Sequence, residues 1–165
     1  EAPAPVVTDS CTSCGAKLHG QGRFCRECGA PRSGSKKSSP KTETGGAEQK
    51  LKEAQGLIAG SRFAEAEETL TQALKLNPEL GTAWHDRGVV KSLQGRHAEA
   101  IEDYSQALKN GADPATTHMN RGVGYEQMGK LEKALADYKK AVKLNPELRT
   151  DLQEPINRIE EALTK

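Results

Sequence analysis

The sequence predicts a mainly α-helical protein: three stacked helix pairs forming a solenoid, closed by a C-terminal capping helix and preceded by a small four-cysteine module and a linker. Three observations predict it. Residues 47–148 repeat with a period of 34, all four cysteines fall within residues 11–28, and residues 31–46 carry no aliphatic side chain larger than the ring of proline. A chain of 165 residues has room for two small domains.

Residues 1–10, EAPAPVVTDS, read as a disordered lead-in rich in Pro and Ala. In residues 11–30 the cysteines come as CTSCG and, ten residues after Cys14, as CRECG. This clustering indicates one local site rather than a framework stapling a whole fold. Each Cys-x-x-Cys pair can grip one metal ion with both sulfurs, and Gly15 and Gly29 permit the positive φ that such a turn prefers. Two pairs supply four thiolates, the closed tetrahedral set of a structural zinc site. The pattern resembles the short zinc ribbons, and the resemblance implies one Zn2+ per chain with Cys11, Cys14, Cys25 and Cys28 as ligands. The same cysteines would serve two disulfides in a secreted module, or an iron site of rubredoxin type, since tetrahedral sulfur suits both metals. A closed four-sulfur shell leaves no open position for substrate, so the metal is structural. Phe24 is expected to pack over it, and His19 to stand exposed.

Residues 31–46, PRSGSKKSSPKTETGG, have nothing to bury and cannot offset their own conformational entropy. They read as a flexible linker, and as a coil they would span on the order of 20–25 Å.

From Ala47 the texture turns helical. LKLNPEL at 74–80 returns as VKLNPEL at 142–148, an offset of twice 34. Repeats at 47–80, 81–114 and 115–148 align Ala54 with Gly88 and Gly122, Ala66 with Ala100 and Ala134, and Ala73 with Ala107 and Ala141. Leu70, Tyr104 and Tyr138 align as the bulky position. Small residues at fixed offsets permit close packing of paired helices, where a larger side chain would clash. The period and these positions resemble the tetratricopeptide repeat, two antiparallel helices per unit. Lys50 and Lys91 depart from that pattern, standing where Trp and Tyr are usual. Gly60, Gly95 and Gly129 are expected between the helices of each pair, and Asn110-Gly111 with Pro114 marks the end of the second repeat.

A seventh helix follows in 149–165. Leu148, Leu152, Ile156, Ile159 and Leu163 form an apolar stripe suited to capping the exposed end of the third repeat. Pro155 places its start only a few residues earlier, because proline is tolerated just in the first turn.

The net charge is +1, with seven Lys/Arg against four Asp/Glu in residues 1–46, a balance of +3 that four metal-bound thiolates would reduce. That is a weak footprint for nucleic acid, where a basic patch or stripe is expected. No apolar run approaches the roughly 20 residues needed to span a bilayer. The chain begins at Glu1 rather than Met, the mark of a fragment or processed product, which leaves an upstream signal, anchor or catalytic domain open.

Nothing in the chain reads as catalytic: no nucleophile motif and no glycine-rich phosphate loop occurs. In the repeat frame His97 stands where Phe63 and Leu131 do, and His118 where Trp84 does, so both read as packing residues. Arg87 and Arg121 share one repeat position, and Asp103 and Asp137 share another sixteen residues on. The matched recurrence favours structural Arg–Asp ties over anion receptors. The first repeat has Glu53 and Thr69 there and lacks the tie.

The family resemblance implies a concave groove, lined by the first helix of each repeat, that holds an extended peptide or a partner helix. The residues placed there are Leu51, Gln55, Ile58, His85, Asp86, Val89, Ser92, Met119, Asn120, Val123 and Gln127. The best-known variant grips acidic chaperone tails through Lys, Asn and Arg. This chain has Leu51, Gln55, Asp86, Thr116 and Asn120 at those places, so acidic C-terminal tails are disfavoured. The reading is a non-enzymatic, cytoplasmic protein–protein interaction adaptor whose partner is a protein or peptide. The alternatives are a regulatory fragment of a larger enzyme, or nucleic-acid binding through the cysteine module and basic linker.

Overall fold

The computed structural model describes residues 41–164. The lead-in, the cysteine module with Cys11, Cys14, Cys25 and Cys28, and the linker as far as residue 40 lie outside the described residues. Seven α-helices follow one another: α1 (Lys41–Ala59), α2 (Phe63–Leu76), α3 (Gly81–Leu93), α4 (His97–Lys109), α5 (Pro114–Gln127), α6 (Leu131–Leu144) and α7 (Arg149–Leu163), with a 3-10 turn at Pro146–Leu148 before the last. They pair as α1/α2, α3/α4 and α5/α6, one pair per 34-residue repeat, and no strand occurs among the described residues.

Helix α1 starts six residues before Ala47, so residues 41–46 of the expected linker are helical. Adding residues to a nucleated, packed helix costs little. Gly46 sits beside Leu76 of α2, where an added Cβ would make an ordinary contact at 3.5 Å.

Small residues set the spacing within each pair. Gly88 faces the Tyr104 ring so closely that a Cβ would lie 2.7 Å from one ring carbon and 2.8 Å from the next, and Gly122 meets Tyr138 at the same distances. The first repeat solves the same contact differently, with Ala54 and Leu70 fully buried in one cluster. A larger residue on the first helix thus goes with a smaller one on the second. Buried alanines complete the seams: Ala66 and Ala73, Ala100 and Ala107, Ala134 and Ala141.

Turn chemistry follows the frame with one displacement. Gly95 (φ 78°) and Gly129 (φ 70°) take the left-handed conformation between the helices of the second and third repeats. In the first it is not Gly60 but Ser61, the frame equivalent of those glycines, that has positive φ (57°). Asp113 caps α5: its side chain accepts from the Thr116 amide at 2.8 Å, with Pro114 in the first turn.

Ion clusters stitch the repeats. Arg87 donates to both oxygens of Asp103 on α4 (Nε 2.8 Å, Nη2 2.8 Å) and through Nη1 to Thr71 of the preceding repeat at 3.3 Å. Arg121 does the same with Asp137 (2.7 and 2.9 Å) and Ser105 (3.1 Å). The expected ties form, and each reaches one repeat further back than the frame indicated. Each buried carboxylate also has a second partner: the buried Lys91 ammonium lies 2.8 Å from Asp103, and His118 Nδ1 donates to Asp137 at 2.8 Å. His118 therefore holds an acid rather than merely packing. Arg96 adds a further bridge between repeats, reaching Glu67 at 2.7 Å.

Helix α7 buries Leu152, Ile156 and Ile159 against Tyr138 and Ala141 of the last pair. Leu163, the end of the stripe, stays 39% exposed. Helix α7 starts at Arg149, where the capping helix is expected, but Pro155 stands in its seventh position, so the expectation that proline would fall in the first turn is corrected. The preceding turns are held by Leu148 and Leu152, which belong to the same apolar cluster.

Candidate functional site

The groove residues come from α1, α3 and α5, the first helices of the three pairs. Their spacing puts Leu51, Gln55 and Ile58 on one face of α1 and His85, Asp86, Val89 and Ser92 on one face of α3. On α5 it groups Met119, Asn120, Val123 and Gln127. Gln55, Val123 and Gln127 are exposed, and the other eight are half-buried. Leu51 and Ile58 pack partly on the core of the first repeats, and Met119 on that of the last.

Four of these residues form one hydrogen-bonded chain across three repeats. Gln55 Nε2 of α1 donates to Asp86 Oδ2 of α3 at 2.9 Å. His85 Nδ1 donates to the other oxygen of Asp86 at 3.1 Å, and Asn120 Nδ2 of α5 donates to His85 Nε2 at 3.0 Å. The His85 ring thus bridges two helices' side chains, Nδ1 towards the Asp86 carboxylate and Nε2 towards the Asn120 amide. The imidazole meets the Tyr104 ring at a tilt of 51°, centroids 5.8 Å apart, and burial pushes the Tyr104 hydroxyl well above the ordinary tyrosine range.

The charge of the groove is set by which acids are neutralised. Glu126 of α5 accepts from the Tyr138 hydroxyl at 2.7 Å and pairs with Arg158 of α7. Asp103 and Asp137 are each held by an arginine. Asp86 is different: among the described residues no Lys or Arg reaches it, and its partners are the neutral Gln55 amide and His85. Arg87 and Arg121 spend all three kinds of guanidinium nitrogen on the inter-helix ties, so they offer no fork to an anion in the groove.

Reasoning from the sequence missed the chain Gln55–Asp86–His85–Asn120, the third member of each ion cluster and the Arg96 bridge. A signal existed for one of these. Lys91 stands where the third copy has Tyr125, and a lysine at an otherwise aromatic buried position implies a carboxylate to meet it. Among the described residues, no group of three or more His, Cys, Asp or Glu side chains gathers as a metal-ligand set. No helix there is long and apolar enough to cross a membrane.

Two family models of the tetratricopeptide repeat match the sequence, one over residues 51–115 and the other over 115–148. No curated protein matches the sequence. Solved structures share the fold at low identity. The first tetratricopeptide domain of Spaghetti (RPAP3), bound to the HSP90 peptide SRMEEVD, is 19% identical, with a TM-score of 0.70, covering 74% of this chain and 96% of that one. The tetratricopeptide domain of Arabidopsis OM64 is 20% identical with a TM-score of 0.69, covering 73% and 98%. YrrB, described as a tetratricopeptide protein with an unusual peptide-binding site, is 22% identical with a TM-score of 0.59, covering 65% and 54%.

Proposed function

Because the chain belongs to the tetratricopeptide repeat family over residues 51–148, we propose that it is a non-enzymatic adaptor whose groove holds a segment of a partner protein. The observation that carries this reading is the groove itself. Three first helices present half-buried apolar side chains (Leu51, Ile58, Val89, Met119) and the exposed Val123 beside a polar chain running from Gln55 to Asn120. Such a surface suits an extended or helical peptide with one or two aliphatic anchors and neutral or mildly basic character. Met119 can repack around different side chains, which suits moderate selectivity.

Relatives in fold include a domain bound to an acidic HSP90 peptide. Acidic tails do not fit this groove, since its uncompensated charge is Asp86 and its arginines are occupied. Cys11, Cys14, Cys25 and Cys28 are proposed to hold one structural Zn2+ as thiolates, which in turn implies a reducing, cytoplasmic setting.

The test is a peptide library titrated against the wild type and against Val89→Glu and Asn120→Ala. Groove ligands should bind with dissociation constants on the order of micromolar, since ordering the peptide consumes much of the gain. Both substitutions should weaken them. If acidic C-terminal peptides bind best, or if neither substitution weakens any ligand, the groove reading fails.

A further inference from the structure

The geometry points to Asp86 as the residue that selects the ligand, by pairing with a basic group: the segment held in the groove carries a lysine, an arginine or a free amino terminus opposite it. This rests on the groove reading of the preceding section and says which chemistry that groove takes.

Three aspartates, Asp86, Asp103 and Asp137, stand on α3, α4 and α6. Asp103 and Asp137 are buried and each receives a bidentate arginine together with a second basic partner. A carboxylate withdrawn from water needs that compensation, because its hydration is lost on burial. Asp86 is four-fifths buried, with side-chain exposure of 18%, yet among the described residues no Lys or Arg pairs with it. Gln55 holds one of its oxygens and His85 the other. Each oxygen keeps a lone pair unused by them. Its side chain is thus pre-positioned and partly desolvated, and its charge is left for something outside the chain to meet.

The surroundings point the same way. Asp113, the exposed N-cap of α5, lies within electrostatic reach of His85 and is held below the usual carboxylate range, chiefly by hydrogen bonds from Thr116. Asp113 therefore adds a second negative charge beside His85 at neutral pH. Arg87 and Arg121 of α3 and α5 are engaged in the inter-helix ties, and Glu126 is already matched by Arg158. An acidic ligand would face repulsion here, and a neutral one would leave Asp86 as it is. A basic one gains a charge-assisted hydrogen bond in a partly water-excluded site.

A displayed random heptapeptide library, panned against the full chain, tests this without knowledge of the natural partner. Selected peptides should be enriched in Lys or Arg at one position. Replacing that residue by norleucine, or by citrulline for arginine, should weaken binding to the wild type about tenfold. Asp86→Asn should bind the basic and neutral versions alike. The swap on the peptide leaves the protein untouched, so the result does not depend on how well the variant folds. If selected peptides lose binding with Val89→Glu but lose nothing on the neutral swap, the groove reading stands and this inference is overturned. If no peptide is selected at all, the groove reading falls and takes this inference with it.

Discussion

Substituting Gly88 by alanine sets two known effects against each other. In an exposed helix interior the change stabilises by about 1 kcal/mol, because glycine surrenders more backbone freedom on folding. Here the new methyl carbon would sit 2.7 Å from the ring of Tyr104, roughly 1 Å inside ordinary contact distance. That ring is 1% exposed and has nowhere to move. Overpacking of this kind costs about 1–3 kcal/mol, and with a rigid neighbour the upper end applies. The net expectation is a loss of about 2 kcal/mol, which with a urea m-value of roughly 1–3 kcal/mol/M lowers the midpoint by about 1 M. The first repeat supplies the compensating change. Tyr104→Leu alone should also destabilise, by about 2–3 kcal/mol, through the space it leaves beside Gly88. Together the two substitutions recreate the Ala54/Leu70 combination, so the double variant should be less unstable than the two losses summed, by about 2 kcal/mol. Urea denaturation of the full chain, followed by helical circular dichroism, measures all four corners of the cycle. If Gly88→Ala is as stable as the wild type, or the two changes add within about 0.5 kcal/mol, the packing argument is refuted.

Arg121→Ala should destabilise the repeats by about 2–3 kcal/mol, below the 3–5 typical of a broken buried pair because His118 still holds Asp137; unchanged stability with collapsed peptide binding would make the arginine a ligand receptor instead. Asp113→Ala should cost about 1 kcal/mol at neutral pH through loss of the α5 cap. The Asp113 carboxyl is held below its ordinary range in the folded state, so its contribution is present above the unfolded pKa and fades as pH falls through the lower folded one. Wild type and Asp113→Ala should therefore converge in stability in acid, and a constant gap down to the lowest pH at which both fold would contradict this. Elemental analysis should find one zinc per chain, and chelation should remove it while the helical signal of residues 47–165 persists; metal-free protein with intact disulfides would refute the zinc assignment.

The solenoid was legible in the sequence because close packing leaves a strict record. Gly88 and Gly122 stand at one offset and Tyr104 and Tyr138 at another, since neither partner can change alone. The Arg–Asp ties were legible for the same reason: a matched recurrence sixteen residues apart survives only if both ends meet. What the period cannot show is whatever occurs once. Ser61 takes the left-handed turn beside a glycine that looked better suited to it, and α1 extends back through Lys41 over residues with nothing to bury. The chain from Gln55 to Asn120 joins three different repeats by unlike residues, so no alignment of the copies brings it out. His118 misled for the opposite reason, since its frame position pointed to packing while its chemistry found Asp137.

The arginine stitches also fix where the solenoid gives way first. Arg87 and Arg121 each clasp three helices at once, α2–α3–α4 and α4–α5–α6. Helix α1 has no such clasp: Glu53 stands at the arginine position and pairs with Lys50 on its own helix. The groove is therefore a vice with one fixed jaw and one sprung jaw. Its α3 and α5 face is clamped, whereas the α1 face, bearing Leu51, Gln55 and Ile58, is joined across the groove by the Gln55–Asp86 hydrogen bond and held otherwise by apolar packing. Amide hydrogen exchange should therefore run faster in α1 than in α3 or α5, the width of the slot depending at that one wall on packing and a single hydrogen bond.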